Sequence, residues 1–349
     1  MGSILTRLAP LTTTGVGSLP FTQPGEAARH AAGAYELPFC PQLPRAYGDM
    51  LQEWLGADPG RCGWAPDRDR QMPAAWDAFV LELRRRPPSH GLVKLQVTGP
   101  LTLAMALERG RAYARGRSDV DGLAREIAGW LAAAVAGQVS GLRELGLATV
   151  VVIDEPGLMT AWHHGATASV WDALRVAAPA WGVHVCGEVP WRLLDVAEPD
   201  VLSYDLVRYG CDRGAHTVIR RLMRRGGRVM WGAVDAVALQ GSSSIVDRIW
   251  AAARAVAGRR WRTADVLGCS LLSGTCGTGG VDLEAERDVA RGLRVAARLL
   301  RGEPGGDAIG REVGQLDALA SSRRRWMTGA TSAMTSSTDA LASGWRRST

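Results

Sequence analysis

From residue 91 to residue 300 the chain alternates strand-like and helix-like segments without a break, which constrains its fold more than any other feature. The clearest strand is Thr149-Val150-Val151-Val152-Ile153, an apolar run of the kind buried on both faces of a parallel sheet. Gly91 to Val97 is an earlier strand of the same type. Between them a helix opens at Ser118, with Asp121 three positions on in a capping arrangement. It carries Leu123, Ile127, Leu131, Val135, Val139, Leu142 and Leu145 on one face, and Gly146 is placed to stop it. The cycle then repeats. Helices are expected near Ser169 to Ala178, Trp191 to Ala197, Ala215 to Arg225, Ile245 to Ala257 and Leu283 to Leu300. Strands are expected at Val183 to Cys186, Val201 to Tyr204, Arg228 to Trp231 and Val266 to Leu272. Such alternation requires crossover helices and a mainly parallel sheet. The number of units in one run favours a closed (β/α)8 barrel of the TIM type over an open sheet.

The first 90 residues are less regular. Thr12 to Val16 reads as the first strand, running into the turn Gly17-Ser18-Leu19-Pro20. Beyond Arg301 the composition turns to Gly, Ser, Thr and Ala with scattered arginines and no periodicity. The expected organisation is therefore one α/β barrel domain over residues 1–302 and a disordered tail over 303–349.

No apolar run approaches the roughly 20 residues of a membrane span, and the N-terminus lacks the pattern of a secretory signal. A soluble, cytoplasmic protein with no membrane partner is expected. The net charge of +6 invites a nucleic-acid reading, but the arginines are spread along the chain and Lys94 is the only lysine. The cluster Arg84-Arg85-Arg86 reads as a solvated helix end, so no nucleic acid is expected as a partner. The six cysteines are Cys40, Cys62, Cys186, Cys211, Cys269 and Cys276. In a long chain of this class they are expected to be free, metal-bound or catalytic.

His184-Val185-Cys186 ends a strand, where alternation turns ring and thiol to the same face. Two readings stand here: a packed core pair, or two ligands of a borderline-soft ion such as zinc. Cys276 favours the second. It lies in Ser273-Gly274-Thr275-Cys276-Gly277-Thr278-Gly279-Gly280, directly after the last strand, where glycines let backbone approach a ligand. Three donors from two strand ends, with a fourth position open, describe a catalytic zinc site. Cys269, inside the strand itself, reads as core. Asp154 and Asp205 also end strands, either as caps of the following helices or as site carboxylates.

These residues, in this order, resemble the catalytic barrel of cobalamin-independent methionine synthases, within the superfamily that also holds the uroporphyrinogen decarboxylases. The matches are Thr12 to Pro20, Gln96-Val97-Thr98-Gly99-Pro100-Leu101-Thr102, Ile153-Asp154-Glu155-Pro156, His184-Val185-Cys186, Asp205 and Cys276-Gly277. They span residues 12 to 300. The resemblance implies a zinc-dependent methyltransferase acting on a small thiol, homocysteine, to give methionine. It implies zinc on His184, Cys186 and Cys276, with Asp205 where the family has a glutamate ligand. Val16, Gly17 and Ser18 would contact the amino-acid part of the substrate. Asp154, which would hold its ammonium, and Asp235, at another strand end, are the candidate catalytic acids. A zinc-bound thiol loses its proton near neutral pH, and attack on a methyl carbon then requires mainly positioning.

The chain departs from the family in four places. Pro44 and Arg45 stand where a second acid would precede Asp49-Met50. Val237 replaces a histidine, Ala106 lies near the place of a tryptophan, and the chain is expected to work without the N-terminal barrel of the folate-dependent enzymes. The expected donor is accordingly a corrinoid protein or another methyl donor in preference to methyltetrahydrofolate. Two alternatives are a metal-free decarboxylase, needing an arginine-lined pocket with Arg45 as its candidate, and a degenerate barrel used for binding.

Overall fold

The computed structural model describes residues 3–55, 72–111, 120–303 and 310–322. Ser118, proposed to open a helix, lies outside the described residues; that helix is seen from Val120 to Glu144. Gly146, at φ +74°, follows its end.

Among the described residues, seven strands form one parallel sheet: β1 Thr12–Thr13, β2 Leu92–Thr98, β3 Ala148–Asp154, β4 Ala180–Val185, β5 Val201–Asp205, β6 Arg228–Val234 and β7 Ser270–Gly274. Their order is β1-β7-β6-β5-β4-β3-β2. The sheet curls inside its crossover helices into a TIM-like half-barrel, not the closed eight-stranded ladder expected. The segment 37–42 lies between β1 and β2. Leu37 N donates to Thr13 O (2.9 Å), Gln42 N to Gly17 O (3.1 Å), Lys94 N to Pro38 O (2.8 Å) and Cys40 N to Lys94 O (3.2 Å). Pro38 and Pro41 have no N–H to donate, so this segment forms isolated bridges and no continuous strand.

A second difference lies before β7. Val266 and Leu267, expected in a strand, belong to the short helix Thr263–Gly268, and the strand starts only at Ser270. A short apolar run fits a buried helix face as well as a strand. Cys269 therefore sits at the helix end, half-buried, and not within the strand.

Strand register places Thr98, Asp154, His184, Ser203, Met230 and Leu271 in one row across the sheet. Because side chains alternate, residues two positions apart share a face. Towards the N-terminal strand ends an apolar cluster joins Leu92, Val150, Val152, Val201, Met230 and Leu271. The N-terminal turn Ile4–Arg7 closes that end, adding Leu5 and Leu8 to the cluster. Arg228 ties it down, donating to Leu5 O and Leu8 O (both 3.1 Å) and to Gly268 O. Gln96, Thr98, Asp154, His184, Ser203 and Asp205 lie towards the other end, so the strands become polar at their C-terminal ends.

Glu155 explains the Gly-Pro and Asp-Glu-Pro elements together. Its buried carboxylate accepts from Leu101 N (3.1 Å), Thr102 N (2.8 Å), Thr102 Oγ1 (2.6 Å) and Trp171 Nε1 (3.1 Å). It thereby caps the Pro100–Arg111 helix from another strand. A Cβ on Gly99 would lie 1.9 Å from the Glu155 Cδ, so only glycine fits there.

The tail expected from residue 303 begins differently. Residues 310–322 form a helix whose Leu316 and Ala320 are buried in the main core; residues 323–349 lie outside the described residues. The Ser242–Ala257 helix follows Gly241, which offers no side-chain cap. Asp317 supplies one, its Oδ1 accepting from Ser242 N (2.7 Å) and Ser242 Oγ (3.0 Å). Asp317→Ala is expected to cost about 1 kcal/mol, the usual worth of a cap. It should appear as a lower urea midpoint at unchanged m-value.

Candidate active site at the C-terminal strand ends

In a parallel barrel the C-terminal strand ends carry the site-forming residues, and here they surround a cavity of about 310 Å³. That is within the range of small-molecule sites. Asp154 at the end of β3, His184 and Cys186 at the end of β4, and Cys276 beyond β7 all line it. Val16 and Ser18 line it from the first turn. Gly17 is not among the lining residues; a Cβ on it would lie 2.6 Å from Gln96 Cγ.

His184 is 3% exposed, and its Nδ1 pairs with Ser203 Oγ at 2.8 Å. That contact fixes the ring and leaves the buried Nε2 without a hydrogen bond of good geometry, close to the Cys276 thiol. The thiols of Cys186 and Cys276 adjoin each other and share a proton unequally. Cys276 is held well below the usual thiol range, first by the hydrogen bond from Cys186 and then by the His184 imidazole. Cys186 is pushed up, first by that same bond and then by burial. Both thiols are free, and Cys276 is exposed at the mouth.

Asp154 is 5% exposed, and its Oδ1 has no hydrogen-bond partner. Burial lifts its pKa to about 6, against the pull of His184 and Lys94. Lys94 is buried beneath the site, where desolvation lowers its pKa to about 8. Its Nζ donates to Val16 O (2.7 Å) and Gln96 Oε1 (2.8 Å), so the chain's only lysine is bound internally and supports the backbone of residue 16.

Two expected site residues do not line the cavity, although Asp205 stays within electrostatic reach of His184. Asp205 caps the turn that follows β5, accepting from Arg208 N at 2.9 Å, and is not among the cavity-lining residues. Asp235 accepts from Val237 N (2.8 Å) and Ala238 N (3.2 Å) in a local turn and does not line the cavity either. Among the described residues, no group of three or more His, Cys, Asp and Glu side chains forms a ready metal-binding cluster.

Three residues of the site escaped the sequence reading. Ser203 carried a usable signal, being two positions before Asp205 and on its face. Lys94 did too, as a charge inside an apolar strand. Glu53 carried none. It lies on the short helix Met50–Leu55, lines the cavity and accepts from Gln42 Nε2 at 2.6 Å. Burial raises its pKa to about 7. With Asp49 and Asp154 it makes the described lining acidic, and no Lys or Arg is among those lining residues. Arg45 turns away to hold Gly279 O (3.3 Å) and Val281 O (2.7 Å).

Fold and site together define a TIM-like α/β protein with an acidic, thiol-bearing cavity at its C-terminal rim. No family model and no curated protein matches the chain. Among solved structures it is similar to a methyltransferase from Methanosarcina mazei, at 16% identity over 86% of this chain and 100% of that one, with a TM-score of 0.56. At that identity the likeness establishes a shared fold. Among the described residues, no helix is long and apolar enough to cross a membrane.

Proposed function

We propose that this chain is a zinc-dependent methyltransferase that methylates a small amine-bearing thiol, with homocysteine as the candidate and methionine as its product. The observation that carries this reading is that His184, Cys186 and Cys276, from two strand ends, line one acid-lined cavity. The buried His184 Nε2 and the two adjoining thiols are the donor types that zinc takes. The methyltransferase name of a structural neighbour agrees with it.

In this reading His184, Cys186 and Cys276 would hold the metal, and Asp205 remains a cap. Zinc, when bound, lowers the pKa of a thiol so that a thiolate is available near neutral pH. The residues of the chain then bind and orient. Asp154, with a free buried oxygen, receives the substrate ammonium, and Glu53 supplies the second acid absent before Asp49-Met50. Val16 and Ser18 bound the opposite wall. A donor with a polyanionic tail would meet no cation among the described lining residues. A corrinoid protein or another donor lacking such a tail suits the cavity better.

The metal-free decarboxylase reading needs cations that this lining lacks, since Arg45 is committed to backbone carbonyls. A degenerate binding barrel would not account for a histidine and two cysteines lining one cavity.

The test is metal analysis of the purified protein, followed by transfer of labelled methyl from methylcobalamin to homocysteine. About one zinc per chain and labelled methionine are expected. A metal-free protein that alkylates no thiol with any donor ends the proposal.

A pH signature accompanies it. Glu53 binds a cation only when ionised, and its pKa in the folded chain is about 7. Affinity for the amine-bearing thiol should therefore rise as pH passes upward through 7. Glu53→Gln should weaken binding about tenfold at pH 8, roughly the 1.4 kcal/mol of one charge-assisted contact. It should change little below pH 6, where the wild-type carboxyl is already neutral. Equal losses at both pH values would remove Glu53 from the cation contact.

A further inference from the structure

Behind the loop that carries Cys276 lies a buried carboxylate that the proposed reaction does not use. Glu286, in the first turn of the Leu283–Arg301 helix, is 0% exposed. Its Oε1 accepts from Tyr35 OH at 2.6 Å and pairs with His30 Nε2 at 2.8 Å. Its Oε2 accepts from Thr278 Oγ1. The aromatic series Phe21, His30, Tyr35 and Phe39, with ring centroids 5.1 to 6.0 Å apart, brackets the first two donors.

His30 and Tyr35 tie the Pro24–Gly33 helix and the residues just after it to Glu286. The bond to Thr278 leaves that interface for the loop, two residues beyond Cys276. Thr278 N donates to Ser18 O at 2.8 Å, and Gly279 N donates to Ser18 Oγ at 3.3 Å. A Cβ on Gly277 would lie 2.1 Å from Ser18 Oγ, so loop and turn are in direct backbone contact. Ser18 and Cys276 line the same cavity.

We infer that Glu286 is a positioning residue for the Cys276 thiol: through Thr278 it locks the loop against Ser18 and so fixes the distance from Cys276 to Cys186. The inference goes beyond the proposed reaction. It makes residues on the far side of the loop responsible for the geometry of the two thiols, whatever those thiols bind.

The test uses the full chain with Thr278→Val, which removes the hydroxyl at nearly constant volume, and Thr278→Ser, which restores it. Phenylarsine oxide is the first probe. It condenses with two adjacent thiols, releasing one water, and so reads their separation without metal; Cys276→Ser serves as the control that loses the dithiol. Zinc affinity is the second readout. Thr278→Val should weaken both about tenfold, the low end of what partners of metal-ligating groups contribute. Thr278→Ser should stay within about twofold of wild type by the same measure. All measurements are made well below each variant's Tm, so a lowered Tm with unchanged affinities marks a merely structural role. Wild-type affinities in Thr278→Val, or no recovery in Thr278→Ser, overturn the inference. If the wild-type chain takes no zinc, the proposed reaction falls while the arsenical still decides the role of Glu286.

Discussion

In the proposed reaction, Cys276→Ala is expected to abolish zinc binding and to reduce methyl transfer by roughly a thousandfold. Metal-ion activation is worth several kcal/mol, and each 1.36 kcal/mol is a factor of ten in rate. Without it a substrate thiol reverts to its ordinary pKa and is only a few per cent thiolate at pH 7. Cys276 is singled out because it alone comes from the loop after β7, while His184 and Cys186 share a strand end. Asp205→Ala gives the contrast. That carboxylate caps a backbone turn, so its loss should lower stability by about 1 kcal/mol and leave the zinc content unchanged. Both are read by metal analysis beside a denaturation curve. Full zinc retention in Cys276→Ala, or zinc loss in Asp205→Ala, would exchange the roles of the two residues.

Glu155→Ala is expected to destabilise the fold by about 4 kcal/mol. Four donors converge on that buried carboxylate. Each buried group left unsatisfied costs about 1–3 kcal/mol, partly relieved where water enters. Typical domains hold only about 5–15 kcal/mol in total, so a large share of the fold depends on this side chain. Glu155→Gln should fall between. It keeps one acceptor oxygen but turns an amide N–H₂ towards donors that a carboxylate satisfied. Urea unfolding measures the series, and a loss below about 1 kcal/mol in the alanine variant would show that the helix start finds other partners.

The same residue shows what the sequence made legible. The Asp-Glu-Pro and Gly-Pro elements were readable as a pattern, and Asp154 was correctly placed at a strand end facing the cavity. The reason Glu155 must follow it was not readable, because its contacts are 16 to 54 residues away. Strand-end residues were legible wherever alternation with period two fixes the face, as for His184 and Cys186. Asp205 and Asp235 satisfied the same rule, but the backbone turns after their strands took up their carboxylates. Glu53, on an irregular stretch without periodicity, and the segment 37–42, broken by two prolines, could be placed only by tertiary contacts. The helix at 310–322 was hidden by a composition that resembles a linker.

The plug formed by Leu5, Leu8 and Arg228 across the opposite strand ends has a kinetic consequence. Among the described residues it covers the strand ends away from the cavity, so in the proposed reaction donor and acceptor would share the C-terminal rim as their way in. A donor bound first would then stand in the acceptor's path, and an excess of donor should slow turnover.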